Sequence, residues 1–187
     1  MRIGLFGGSF NPPHVCHTIA TLWALQTCRL DEVLWIPTYQ HAFEKTLAPF
    51  EQRAAMCRRA VAPIDGAEVD PIERDLGGES RTIDTVRALE ERDAAAEYAL
   101  IIGSDILEEV DEWKAWEELK ERTELIVIGR AGFESTQERS TRAHDFELPN
   151  ISSSRTREAL ADRDRGWLET WIPASVLDYI DEHDLYR

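Results

Sequence analysis

Four short runs of this sequence, "RIGLF" (2–6), "EVLWIP" (32–37), "YALIIG" (98–103) and "ELIVIG" (124–129), are apolar almost throughout, and each stops at glycine or proline. A strand with one face in water alternates apolar and polar residues. Runs without that alternation read as strands buried on both faces, the mark of a parallel sheet. Between them the apolar residues take helical spacing. Ile19, Leu22, Trp23 and Leu25 do so in "HTIATLWALQTC", and residues 49–61 and 80–92 follow suit, with Pro49 in a favourable opening position and Ser80 as the expected N-cap. A helical stretch is expected between the last two runs, with Trp113, Trp116 and Leu119 at intervals of three, and a short strand at 67–72. Two helices are expected to close the chain, "SSSRTREAL" and one starting near Pro173, while 131–145 is polar and aperiodic and reads as a surface loop. Strands alternating with helices predict an α/β fold, a doubly wound and mainly parallel sheet with right-handed crossovers. The length fits one domain over 1–187, with C-terminal helices from about 153.

Bulk properties exclude several function classes. The formal net charge of −15 argues against a broad nucleic-acid surface, which needs clustered Lys and Arg facing phosphates. The apolar runs are too short to cross a bilayer, and the N-terminus lacks the pattern of a signal peptide, so a cytoplasmic location is expected. Cys16, Cys28 and Cys57 have no paired spacing, which predicts reduced thiols. The lysines are Lys45, Lys114 and Lys120. An anionic ligand therefore has to meet a pocket made from Arg, His, backbone N–H groups or a bound cation.

The stretch "GLFGGSFNPPHVCH" (4–17) follows the first strand and opens the first helix. In open parallel sheets ligands gather at that end of the strands. Gly7 and Gly8 are open to backbone angles closed to other residues and let a phosphate approach the main chain. Pro12 and Pro13 fix the start of the helix, whose free N–H groups suit an anion. His14 and His17, three apart, project from one face. Taken alone, this is also a tight turn with two surface histidines. A zinc site from His14, Cys16 and His17 matches no standard spacing, and "GLFGGS" lacks the third glycine of the dinucleotide fingerprint.

"GGSFNPPHVCH" resembles the GGxFxPxHxGH signature of the nucleotidyltransferase superfamily, and "NISSSRTREAL" (150–160) resembles its second signature, ISSTxIR. "RTIDTVRAL", "IIGSDILEEVDEWKAWEEL" and "YIDEHDLY" are similar to segments of the bacterial nicotinate-nucleotide adenylyltransferases. The likeness runs along nearly the whole chain. It implies the Rossmann-like nucleotidyltransferase fold and adenylyl transfer from ATP to nicotinate mononucleotide, or nicotinamide mononucleotide, in NAD biosynthesis. Pyrophosphate leaves and no covalent enzyme intermediate forms.

By that resemblance His14, His17 and Arg157 are catalytic, the histidines contacting ATP phosphates and Arg157 gripping the β,γ-phosphates. ATP would meet Gly7, Gly8, Ser9, Phe10, Gly103, Asp105, Ile151, Ser153, Ser154 and Lys45, with Asp105 on the adenosine ribose. Ser152 joins the helix cap and Arg155 is support. The acceptor would meet Thr82, Thr85, Trp113 and Arg130, Trp113 stacking on the pyridine ring while Trp116 belongs to the core. Mg²⁺ would bind through phosphates, with no metal ligands from the protein. The partners implied are ATP and a pyridine mononucleotide, with no nucleic acid or membrane; self-association stays open.

The chain departs from the family pattern at several points. Cys16 stands at the usual glycine of HxGH, adding a side chain where the helix passes the ligand. "HAFEK" (41–45) replaces a PPHK-like run, which bears on His41 and Lys45, Ala131 replaces a proline, and Thr156 an isoleucine. Two alternatives therefore stand beside the leading reading: a nucleotidyltransferase with another phosphate acceptor or CTP as donor, and a non-catalytic nucleotide-binding regulator.

Overall fold

A computed structural model describes residues 1–40, 47–107, 109–132 and 142–186, with the main chain alone for 142–145. The sheet has six strands: β1 (Arg2–Gly8), β2 (Glu32–Pro37), β3 (Ala67–Val69), β4 (Glu97–Gly103), β5 (Thr123–Arg130) and β6 (Arg142–Leu148). All pair in parallel, in the order β3-β2-β1-β4-β5-β6. The four apolar runs are the four central strands, and their neighbours along each strand point to opposite faces. Val33, Trp35, Ala99, Ile101, Ile126 and Ile128 enter one core; Leu34, Ile36, Leu100, Ile102, Leu125 and Val127 enter the other. Burial on both faces removes the polar alternation, which is why these runs read clearly in the sequence.

Helices fill both faces. On the first lie α1 (Val15–Thr27), α2 (Phe50–Val61), α6 (Ser153–Ala161), α7 (Arg165–Trp171) and α8 (Ala174–Glu182). On the second lie α3 (Ile72–Leu76), α4 (Thr82–Arg92) and α5 (Trp116–Arg122). The strand order reverses between β1 and β4, whose carboxyl ends are Gly8 and Gly103. Adjacent loops diverge there and leave a crevice.

Three expectations need correction. The stretch 106–122 is not one helix: turns of 3-10 helix at Ser104–Ile106 and Val110–Glu112 precede α5, and Ala115 takes a left-handed φ of 56°. Apolar residues at 107, 110, 113 and 116 recur every three positions, the period of a 3-10 helix rather than of an α-helix. Ser80 does not cap α4, whose N-cap is Arg81; its Oγ accepts from the N–H groups of Tyr39 (3.0 Å) and Gln40 (3.2 Å). Part of the surface loop is the edge strand β6, where Phe146 stacks on Trp23 at 5.0 Å and Leu148 is buried. The strand is bulged against β5 beside Gly129, where a Cβ would lie 2.9 Å from the Phe146 carbonyl. An edge strand carrying a bulge has no clean period of two. The short helices α3 and α7 add to those expected.

Trp35 is fully buried, and its indole N–H donates to Thr21 Oγ1 at 2.7 Å; that hydroxyl donates in turn to the His17 carbonyl at 2.9 Å. Thr21→Val keeps the shape and strands the indole N–H. We expect a loss of about 1–3 kcal/mol, read as a lower urea midpoint with an unchanged slope.

Candidate active site

The opening loop leaves β1 at Gly8. Neither Gly7 nor Gly8 uses a positive φ, contrary to expectation; the left-handed residue is Phe10, with φ of 43°. Its ring lies parallel to Trp35 at 4.7 Å and edge-on to Phe6 and His17. A left-handed conformation costs a non-glycine residue about 1–2 kcal/mol, and this aromatic packing holds it in place. At Gly7 a Cβ would meet nothing within 4 Å among the described residues, and these leave the strand end open to close approach.

His14 is the N-cap of α1 in extended geometry, and His17 follows one turn on. Their rings stack with centroids 3.7 Å apart. The His14 backbone N–H donates to His17 Nδ1 at 3.0 Å. That bond requires Nδ1 to be unprotonated, so the His17 proton sits on Nε2, where it can be donated. His14 is almost fully buried, and its Nδ1 has no hydrogen-bond partner among the described residues. Burial, with the Arg130 charge second, lowers the His14 pKa to about 3. His17 also falls well below its ordinary value, through burial first and then the charges of His14 and Arg130. Both imidazoles are neutral at pH 7.

The second signature joins the first directly. Ser152 caps α6, accepting from the Arg155 N–H at 3.2 Å, while Ser153 Oγ donates to the Pro12 carbonyl at 3.1 Å. Arg157 Nη1 donates to the Asn11 carbonyl at 2.9 Å, and Nη2 donates to Ser154 Oγ at 3.2 Å. Partners 141 and 146 residues apart in sequence thus share one wall. Among the described residues no carboxylate pairs with Arg157. Arg155 points away, pairing with Glu158 at 3.4 Å and lying over the Trp167 ring.

At the end of β4 the Asp105 carboxylate folds back over Gly103, where a Cβ would sit 2.2 Å from Oδ1. Only glycine admits that approach. Asp105 Oδ2 accepts from Arg130 Nη1, while Oδ1 is buried without a hydrogen-bond partner among the described residues. Arg130 Nη2 donates to the Ile151 carbonyl, and its backbone N–H to Ser104 Oγ at 2.9 Å. Arg130, expected with the acceptor set, is thus bonded to two members of the ATP set.

Thr82 opens α4, and Thr85 is buried one turn on, its Oγ1 3.4 Å from both Glu73 Oε1 and the Arg81 carbonyl. Burial pushes the Glu73 carboxyl up. Trp113 is half-buried and edge-on to the buried Trp116, and a Lys114–Asp84 ion pair at 2.8 Å ties its turn to α4. Cys16 does not face the ligand side: it is buried in the core, with Sγ 3.7 Å from the Pro149 carbonyl. His41 and Lys45 lie outside the described residues.

Three residues that the sequence reading passed over join the site. Arg53 is buried, and its guanidinium donates to the carbonyls of Ala48 (2.9 Å), Ser9 (2.8 Å) and Thr38 (2.7 Å). Asn11 Oδ1 accepts from the Ala48 N–H at 3.0 Å and from the Tyr186 hydroxyl at 2.9 Å. A hollow of about 400 Å³ at the opposite strand ends, near Arg2, Glu97 and Glu124, is a poor anion site: four glutamates line it, and both its arginines are paired with carboxylates.

A parallel sheet whose strand order reverses at a crevice, beside stacked imidazoles and an arginine with no carboxylate partner among the described residues, is the arrangement of a nucleotidyltransferase-type enzyme. Residues 5–159 match the cytidylyltransferase-like family. The chain belongs to that family and, within it, to the nicotinate-nucleotide adenylyltransferases. It is 39% identical, over its whole length and 97% of the relative's, to a protein of Anaeromyxobacter dehalogenans named "probable nicotinate-nucleotide adenylyltransferase". A Myxococcus xanthus protein of the same name is 36% identical over the whole chain and 95% of its own. The Plasmodium falciparum nicotinic acid mononucleotide adenylyltransferase, solved with NaAD, shares the fold with a TM-score of 0.83 at 21% identity, covering 99% of this chain and 97% of that one. Among the described residues no helix is long and apolar enough to cross a membrane.

The buried histidines make acid stability measurable. Above about pH 6.5 imidazoles are neutral in folded and unfolded chains alike, so their contribution is fully present. Below it the unfolded chain takes up protons that the folded chain refuses, and stability falls by about 1.4 kcal/mol per pH unit for each such group. For His14 the loss continues towards pH 3. We expect His14→Gln to flatten the dependence of unfolding free energy on pH between 6 and 4.5 by about that slope, measured by urea titration. An unchanged slope would mean that His14 protonates freely in the folded chain.

Proposed function

We propose that this chain transfers the adenylyl group of ATP to the 5′-phosphate of nicotinate mononucleotide, a step in making NAD. Supporting this is the direct hydrogen bonding between the two signature loops, which puts donors from both on one crevice. The acceptor's phosphate oxygen forms a bond to the α-phosphorus, the bond from that phosphorus to the bridging oxygen breaks, and pyrophosphate leaves with the electron pair. No protein nucleophile is needed. The work is to align two anions in line and to stabilise charge as it builds on the transferring group.

His17 would donate from Nε2, and His14 would offer its ring to the same phosphates. Being neutral, they are hydrogen-bond donors that need no buried counter-charge. Arg157 would take the outer phosphates with its planar fork, helped by Ser153 and Ser154 at the start of α6. Asp105 would turn its buried Oδ1 to accept from the ribose hydroxyls while Arg130 holds the other oxygen, so we place Arg130 on the donor side. Gly7 to Phe10 would lie against both nucleotides. Thr82, Thr85 and Trp113 would meet the mononucleotide.

Among the described residues no three or more of His, Cys, Asp and Glu cluster to hold a metal. The free donors here suit phosphates, so Mg²⁺ would arrive on the triphosphate that His14, His17 and Arg157 hold. When bound it would neutralise phosphate charge.

Pyrophosphate release with Mg²⁺, tested with ATP or CTP against nicotinate mononucleotide, nicotinamide mononucleotide and unrelated phosphate monoesters, checks the reading. ATP with nicotinate mononucleotide should give the highest kcat/KM, and release with none of these acceptors would overturn the assignment. His17→Asn keeps an acceptor for the His14 N–H and removes the Nε2 donor. It should lower kcat about 100-fold with the fold intact. Arg157→Lys should raise KM for ATP well above its effect on the acceptor; the reverse pattern would exchange the two subsites.

A further inference from the structure

We propose that Tyr186 is a positioning residue for adenylyl transfer, its hydroxyl fixing the phosphate-binding loop through the Asn11 side chain. This rests on the function proposed above. The hydroxyl lies 2.9 Å from Asn11 Oδ1, across 175 residues of sequence. The same oxygen accepts from the Ala48 N–H, and the Asn11 carbonyl accepts from Arg157. One residue, Asn11, therefore meets Tyr186 through its side chain and, through its backbone carbonyl in the loop that carries Phe10 and His14, the arginine expected on the phosphates.

The ties close into a ring. Asn11 holds the N–H of Ala48, the Ala48 carbonyl accepts from Arg53, and Arg53 donates to Ser9, two residues before Asn11. Every link involves a loop backbone group, so the ring sets the path of the main chain between Gly8 and His14. Arg53 is buried and, among the described residues, bonds no carboxylate. Within this ring Asn11 Oδ1 takes two donors, and Tyr186 supplies one of them.

The backbone beyond α8 is shaped to bring Tyr186 there. Asp184 and Tyr186 take left-handed φ of 54° and 63°, with Leu185 buried between them. Two such residues cost free energy and persist where surrounding contacts hold them. Burial also raises the Tyr186 pKa, so the phenol keeps its proton at neutral pH and stays a donor. The ring could pack here without its hydroxyl. The hydroxyl adds direction.

Tyr186→Phe keeps the ring and deletes the bond. The expected result is a three- to tenfold fall in kcat, with KM for ATP and for the acceptor within twofold and at most a small fall in the urea midpoint. Asn11→Ala should lower kcat at least as much, and adding Tyr186→Phe to it should change nothing further, because both remove one link. Amide exchange, read without turnover, should quicken several-fold at Ser9, Asn11 and Ala48 in Tyr186→Phe and stay constant in the central strands. Normal kcat with unchanged exchange at those amides, or full additivity of the two substitutions, would overturn the proposal. Absence of turnover in the unaltered chain would instead count against the adenylyl-transfer reading, and the exchange measurement would still decide the role of Tyr186.

Discussion

The structure depends on how one loop backbone is held between Gly8 and His14. That segment has no regular ladder of its own, and its carbonyls must still find donors. Arg53 reaches Ser9, Arg157 reaches Asn11 and Ser153 reaches Pro12. The donors come from α2 and α6, elements on the same face of the sheet. The loop is therefore a product of tertiary structure. Its glycines leave space, its prolines limit the path, and partners far away in sequence choose one conformation.

Holding a loop by its carbonyls has an electrostatic consequence. Each arginine that donates to a carbonyl keeps its full charge, whereas one paired with a carboxylate is largely neutralised. Arg53 and Arg157 are of the first kind among the described residues, and the surface arginines 74, 87, 122 and 165 are of the second. In a chain of net charge −15, two arginines that keep their charge thus stand behind and beside the crevice. Arg130 is the intermediate case: its pairing with Asp105 spends charge to orient a carboxylate.

The parts of this fold legible in the sequence are those whose physics is local. A strand buried on both faces must be apolar throughout, so β1, β2, β4 and β5 could be read directly. Glycine at 103 is legible as a strand stop, yet its reason, the Asp105 carboxylate folding into the missing Cβ, is not. The edge strand β6 was hidden because half of an edge strand's partners are absent and a bulge disrupts its period. At the site, the histidines and Arg157 stood out through their motif. Arg53 did not: within "PFEQRAAMCRRAV" it looks like any helix arginine, and its burial is set by three carbonyls from three segments. Asn11 and Tyr186 were hidden for the same reason, being 175 positions apart.

The paired histidines illustrate how packing selects a chemical state. Sequence spacing places them on one face, and two protonated imidazoles 3.7 Å apart would repel. Stacking, burial and the nearby Arg130 charge drive both towards the neutral form. The His14 N–H then selects the tautomer of His17, so the backbone at the start of α1 decides which ring nitrogen presents a proton. In the proposed reaction, a neutral donor at that point would follow charge as it moves onto the transferring phosphate without first binding the ground state as tightly as a cation would. That difference between transition state and substrate is what lowers a barrier. A loop held in one conformation by its carbonyls would be the condition for it, since a donor displaced by an ångström loses most of its effect.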